Sequence, residues 1–412
     1  MLPSMDDAVS GLQMHQQWMN VIGNNIANVS TPGFKASQVT FEQLFAQTLA
    51  AGSSPQGNLG GTNPIQVGLG VGLGSITQSQ TEGALQPTGN PTDLAIQGDG
   101  YFLLDNGNQG TAYTRVGDFS FDANGNLVEG STGFKVLGWL AGPTGTLPTQ
   151  NSANLQPIIV PQTSTKPPQA TTSAAFIGNL DSSTPASSPV SVPFTAYDSL
   201  GNAWNLTATF TPSGTADVWN WKVTDPTGNA GLGGSTTGTV TFTSGGAYQS
   251  STGGPLTIAP AGAASSSITP DFSAMTQYAT TSTANPGNQN GYTSGTLQSI
   301  AVDKSGVITG TYSNGLTQTL GQVATATFAN PEGLVQQGQG IYASGNNSGV
   351  ASVTQPGTGG AGTIASGNLE GSNVDLAQEF TNMISAERGF QANAQVVTTS
   401  NSMLQTLVQM GA

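Results

Sequence analysis

The residues able to do chemistry are few in this sequence, and their spacing fits little of it. Gly68-Leu69-Gly70-Val71-Gly72-Leu73-Gly74 sets a glycine at every second position. A phosphate-binding turn needs G-x-G-x-x-G or G-x-x-x-x-G-K-[ST], and neither fits. The run reads instead as an extended segment whose glycines admit close backbone approach. Asp122-Ala123-Asn124-Gly125-Asn126 and Asp198-Ser199-Leu200-Gly201-Asn202 resemble pieces of a calcium loop. Both lack the bidentate Glu that completes an EF-hand. They sit between strand-like runs, where Asp, Asn and Gly are ordinary turn residues. His15 is the single histidine, so a Ser-His-Asp arrangement would have to use it. It lies beside an apolar helical seam and reads as a helix-face residue. Any two of the 21 Asp and Glu residues could converge as a glycosidase pair, but nothing in their spacing singles out two. We therefore expect no catalytic, cofactor-binding or metal-ligating residues, and a structural rather than enzymatic protein.

Composition points the same way. Charged residues are 7% of the 412, against about 25% in an ordinary globular chain. Only seven are Lys or Arg, and they are scattered, so there is no patch to neutralise phosphates and no nucleic-acid partner is expected. There is no Cys, which removes disulfides and thiolate sites together. No run of about 18 apolar residues exists, so no membrane insertion is expected. Asp6, Asp7, Gln and Asn interrupt the first twenty residues and the first basic residue is Lys35. That does not read as a cleaved signal.

The elements that organise the chain are helical at both ends. Met5, Leu12, Met19 and Ile26 recur at spacing seven, with Val9, Ile22 and Val29 beside them. Ser30-Thr31-Pro32-Gly33 ends this helix. Leu376, Met383, Phe390, Val397 and Leu404 recur at spacing seven near the C-terminus, beside an imperfect row of Phe380, Glu387, Ala394, Asn401 and Val408. Ser372-Asn373 and Asp375 supply an N-terminal cap, and Gly389 is a weak interior point. Both seams are of coiled-coil type. An isolated amphipathic helix is marginal in water. The two ends therefore either pair with each other, with everything else nested between them, or form a two-helix satellite on the main body. Between them, Asp93–Leu104, a hairpin around Asn124-Gly125, and turns at Lys304-Ser305-Gly306 and Asn314-Gly315 read as β structure. Ser/Thr/Pro/Gly-rich stretches near 141–175 and 259–295 read as connections to a further β domain, in which Trp219 and Trp221 belong to the core.

The expected fold is multidomain α+β: terminal paired coiled-coil-like helices with nested, mainly antiparallel β domains. Residues 1–30 with 371–412 form a helical assembly domain, 31–75 an extended linker, 76–145 with 291–370 a middle β domain, and 146–290 an outer inserted β domain.

Gly11-Leu12 and Gly23-Asn24-Asn25-Ile26-Ala27-Asn28-Val29-Ser30-Thr31-Pro32-Gly33-Phe34-Lys35 resemble the signature of bacterial flagellar rod and hook proteins. Ser372 through Leu376, Phe380, Met383-Ile384, Arg388-Gly389-Phe390-Gln391-Ala392-Asn393 and Met403-Leu404 resemble the terminal helix of the same family. Glu387 departs from it, a Gln being more usual there. Ala196–Asn202, Asp271–Tyr278 and Gly306–Gly315 resemble the entry, exit and return segments of the β insertion in its hook branch. The resemblance implies a non-enzymatic subunit of a helical homopolymer, with terminal helices lining a hollow tube. It also implies partners: the distal rod protein, the hook cap, the hook–filament junction protein and the type III export apparatus. Such a subunit is extracellular and exported without a cleaved signal. The rod branch is the nearest rival, and it lacks most of 146–290, so length separates the two. A rival of another class is an extracellular glycan-binding or glycan-cleaving β protein, favoured if Trp204, Trp219 and Trp221 line an open groove.

Overall fold

The structure, a computed structural model, describes residues 3–55, 57, 60–107, 110–161 and 165–410. Residues 162–164 of the expected connection near 141–175 lie outside the described residues. Helix α1 spans Pro3–Ala27 and helix α2 spans Leu376–Met410, and the described residues between them are largely strands. Proline is harmless in a first turn, where its missing N–H has no partner to lose. Helix α1 ends in a turn: Asn28 Nδ2 donates to the Asn24 carbonyl at 2.9 Å and Thr31 Oγ1 donates to Asn28 Oδ1 at 3.1 Å. Gly33 then takes φ +67°, which only glycine adopts freely. Helix α2 is capped by Asp375, whose Oδ1 accepts from the backbone N–H groups of Ala377 and Gln378 at 2.9 and 3.2 Å.

Two compact units divide the chain. The first holds residues 1–161, 300–309 and 319–412. After α1 come β1 (Ser37–Gln43), β2 (Ala46–Ala50), β3 (Ile65–Gly68) and β4 (Val71–Gln78). β1 pairs antiparallel with β4, and β2 with β3. Residues 31–75 are thus mostly a two-stranded ribbon rather than the extended linker expected. Its alternation was hidden because every second position at 68–74 is Gly instead of a polar side chain. Gly70, at φ +92°, lies against Ser10 and Asp7 of α1, the close approach expected of that run. Beyond the ribbon, Tyr101–Asp105 and Thr111–Thr114 form a hairpin, as do Phe119–Phe121 and Leu127–Glu129. Tyr101, Leu103, Tyr113, Trp139, Ala324, Ala326 and Tyr342 pack into one buried cluster. The outgoing chain pairs with the incoming one: Thr363–Ser366 with Leu94–Gln97, then Asn368–Glu370 with Leu85–Pro87.

The second unit holds residues 162–299 and 310–318. It contains two five-stranded sheets whose buried side chains share one core, including Phe176, Phe194, Phe210, Trp221 and Phe272. One sheet is wholly antiparallel, running from Val190–Tyr197 to Tyr248–Thr252. The other contains a parallel pair, Ser173–Asp181 with Ser266–Tyr278. The unit starts later than the 146 expected, because Gln156–Pro157 pairs with Leu137–Gly138 of the first unit. The Asp198–Asn202 turn follows the long strand Ser173–Asp181, and Asp271–Tyr278 ends a central strand followed by Asn285–Gln289. Neither is therefore an entry or exit segment.

Candidate assembly interface

Helices α1 and α2 pack antiparallel. Asn25 meets Glu379, His15 meets Gly389, and Gly11 meets Asn393. The residues that bury in α1 are Ala8, Gly11, Ile22 and Asn25; in α2 they are Glu379, Ala386 and Ser400. The spacing is of seven residues (8, 15, 22; 379, 386, 393, 400), but apart from Ile22 the residues are small or polar. Small residues let the backbones approach closely, which accounts for a glycine at 389 inside the continuous helix: a methyl group there would collide with the His15 imidazole. A methyl on Gly11 would come within 2.7 Å of Asn393 Nδ2. Trp18 adds an edge contact to Phe41 of β1, with ring centroids 5.7 Å apart.

The apolar rows read from the sequence face elsewhere. Met5, Leu12, Met19 and Ile26 are half-buried, as are Met383, Phe390 and Val397. Leu376, Phe380, Leu404 and Val408 are exposed, and Leu407 and Val408 stand 69% and 71% open to solvent. The ribbon has exposed apolar residues of its own, with Phe45 86% exposed and Leu49 62%. A single chain keeps such faces outward only at a cost. Covering each large side chain is worth about 1.5–3 kcal/mol.

The motif residues hold the helices to the body. Asn25, fully buried, donates from Nδ2 to the Ser37 carbonyl at 2.8 Å and to Glu379 Oε1 at 3.0 Å, and its Oδ1 accepts from Ser37 N–H at 2.9 Å. Gly33 N–H donates to the Glu370 carbonyl at 2.8 Å. Glu370 is the centre of a buried charge cluster. Lys35 Nζ donates to its Oε1 at 2.6 Å and to the Thr81 carbonyl at 2.7 Å. Arg115 reaches Oε2 at 3.3 Å, while its Nη2 donates to the Gly98 carbonyl at 2.8 Å. Burial pushes the Lys35 ammonium below its ordinary range, against the pull of Glu370. Asn373 closes the cluster: its Oδ1 accepts from Ala36 N–H at 2.7 Å and its Nδ2 donates to the Ser79 carbonyl at 2.9 Å. Of the other motif residues, Gly389 and Asn393 lie farther along the helix pair, at His15 and Gly11. Gly23, Asn24, Ala27 and Arg388 are exposed; Asn28, Phe34, Gly389 and Asn393 are half-buried. Sequence reasoning named Lys35 only within its motif, and it missed Glu370 and Arg115. Nothing in the local sequence marks Glu370, which lies 335 residues from Lys35.

Four family profiles match along the chain. They are a flagella basal body rod protein profile at 5–35, the flagellar hook protein FlgE/F/G D1 domain at 95–173, the flagellar basal body protein FlaE D2 domain at 163–292, and the flagellar basal body rod FlgEFG protein C-terminal at 365–410. The flagellar hook protein FlgE of Treponema pallidum is 36% identical, covering 100% of both chains. That of Salmonella typhimurium is 38% identical over 99% of this chain and 100% of its own. The chain belongs to the flagellar hook protein family. The hook-subunit reading of the sequence therefore holds. Length does not separate the hook and rod branches, since the flagellar basal-body rod protein FlgG of Bacillus subtilis is 31% identical across 100% of this chain and 99% of its own. The solved Helicobacter pylori flagellar hook protein FlgE2 shares the fold, with a TM-score of 0.51 at 16% identity over 68% of this chain and 98% of that one. No helix among the described residues of this hook-family chain is long and apolar enough to cross a membrane.

The second unit removes the basis of the glycan reading. Trp219 and Trp221 are buried, and Trp204 packs on the same core while its Nε1 donates to Asp198 Oδ2 at 3.0 Å. Asp198 also accepts from Leu200 and Asn202 N–H, and Asp122 from Asn124 and Asn126 N–H. These carboxylates are turn-formers whose oxygens are already in use.

Proposed function

We propose that this hook-family chain polymerises through its paired ends into the hollow, flexible hook that joins rod to filament and transmits torque. The observation that carries this reading is the outward apolar face of α2, with further exposed apolar residues on the ribbon, on a chain whose own helix pair is sealed mainly by small and polar residues. Residues 1–30 with 371–412 then line the inner tube wall, where coiled-coil-like packing of Leu376, Phe380, Leu404 and Val408 takes place between copies. The middle β domain surrounds that wall. End contacts of the polymer fall to the distal rod protein, the hook cap and the hook–filament junction protein. The subunit leaves through the type III export apparatus with its first residues uncut, so the intact mass of subunits taken from hooks includes Met1–Lys35.

The test is the Leu404→Asp, Val408→Asp double variant of the full chain. Near-UV circular dichroism should match the parent, while negative-stain images should lose their tubes. Tubes of normal length would end the proposal.

A further inference from the structure

Arg388 is the only basic residue in either helix. It is exposed, and the ion pairs found among the described residues use Lys35 and Arg115 instead. It also sits within the apolar face. Residues four apart on a helix share a row, which places Arg388 in line with Phe380, Ile384 and Val396, exposed by 52%, 54% and 40%. A guanidinium there is harmless in water. Once the face is covered it is costly, unless a carboxylate meets it.

The helix pair offers few carboxylates. Asp375 is spent on the α2 cap. Glu379 is buried and bonded to Asn25. Glu387 accepts from Gln391 Nε2 at 3.1 Å. Asp7 is half-buried beside Gly70 of the ribbon. Asp6 remains: it is exposed on the first turn of α1 and makes no side-chain bond among the described residues. It cannot serve Arg388 of its own chain. Gly389 packs on His15, and from His15 to Asp6 is a further nine residues, or about 14 Å along the helix. That is beyond an arginine's reach.

Resting on the polymerisation proposed above, we infer that Arg388 of one copy pairs with Asp6 of a neighbouring copy, and that this pair sets the axial stagger between stacked helix pairs. Charge complementarity selects a second copy as the occupant of this face, because Arg388 and Asp6, the cation and the anion of the helix pair that make no side-chain bond among the described residues, are too far apart to meet within a chain.

The experiment is a charge swap in the full chain, read as the critical concentration for sedimentable polymer at moderate ionic strength. Arg388→Glu and Asp6→Arg should each raise it about tenfold or more, in line with close interfacial charge pairs. The double variant should return to within about threefold of the parent. Far-UV circular dichroism of each monomer controls for loss of helix. A double variant no better than the singles overturns the pair, as does equal rescue of Arg388→Glu by Glu42→Arg on the exposed ribbon. If the parent and the Leu404→Asp, Val408→Asp variant sediment equally, polymerisation through this face fails first and takes the pair with it.

Discussion

Glu370 is one carboxylate shared by two buried cations, with Thr81, Ile96 and Gly98 carbonyls taking further donors. Removing its charge strands Lys35 and Arg115 together. Glu370→Gln should therefore destabilise the first unit by about 3–5 kcal/mol, measured by urea unfolding of the full chain. A loss below about 1 kcal/mol would show that backbone carbonyls alone suffice. At Asp225 burial acts upward, but donors from Ala230, Thr227 and Gly228 together outweigh it and hold the carboxyl at about 2, below the ordinary 3.8. A depressed folded value means stability fully present above 3.8 and lost as pH falls through about 2. Asp225→Asn should flatten the acid limb of the tryptophan-fluorescence melt over that window, by under about 1 kcal/mol for a group that solvent still reaches. An unchanged limb would mean these bonds do not survive in solution. Residues of this kind were only half legible. The Asp turns announce themselves by local Asp-x-x-Gly-Asn spacing, whereas Glu370 depends on partners far along the chain.

At the scale of elements, both helices and their sevenfold spacing were legible, because periodicity and end signals are local. Which face turns inward was not. In a lone globule the large apolar row goes inside; here Ala8, Gly11 and Ala386 go inside beside Ile22, and Phe380, Ile384 and Leu407 do not. A seam of small residues carries little hydropathy, so it is silent in a pattern search. Gly389→Ala separates the two influences on this seam. Helix propensity alone would raise stability by about 1 kcal/mol. Collision with His15 should reverse the sign, lowering the midpoint of the helical signal at 222 nm by several degrees. A raised midpoint would mean that the helices do not pack at this point. The ribbon was misread for a related reason. Its apolar residues alternate with glycine, and no core lies beneath them to demand the pattern.

Across the whole molecule, residues far apart in sequence are brought together. The first and last segments of the chain are neighbours, and the body between them folds as two units. That nesting was open in the sequence, since matching helices at both ends invite pairing, though a separate satellite fitted equally well. The lock made by Lys35, Arg115, Glu370 and Asn373 carries a consequence for timing. Its parts are contributed from near the beginning and near the end, 335 residues apart, so no polypeptide made only part-way can fasten it. Closure therefore waits until residues 370–373 exist, and a copy cut short before them lacks the clasp.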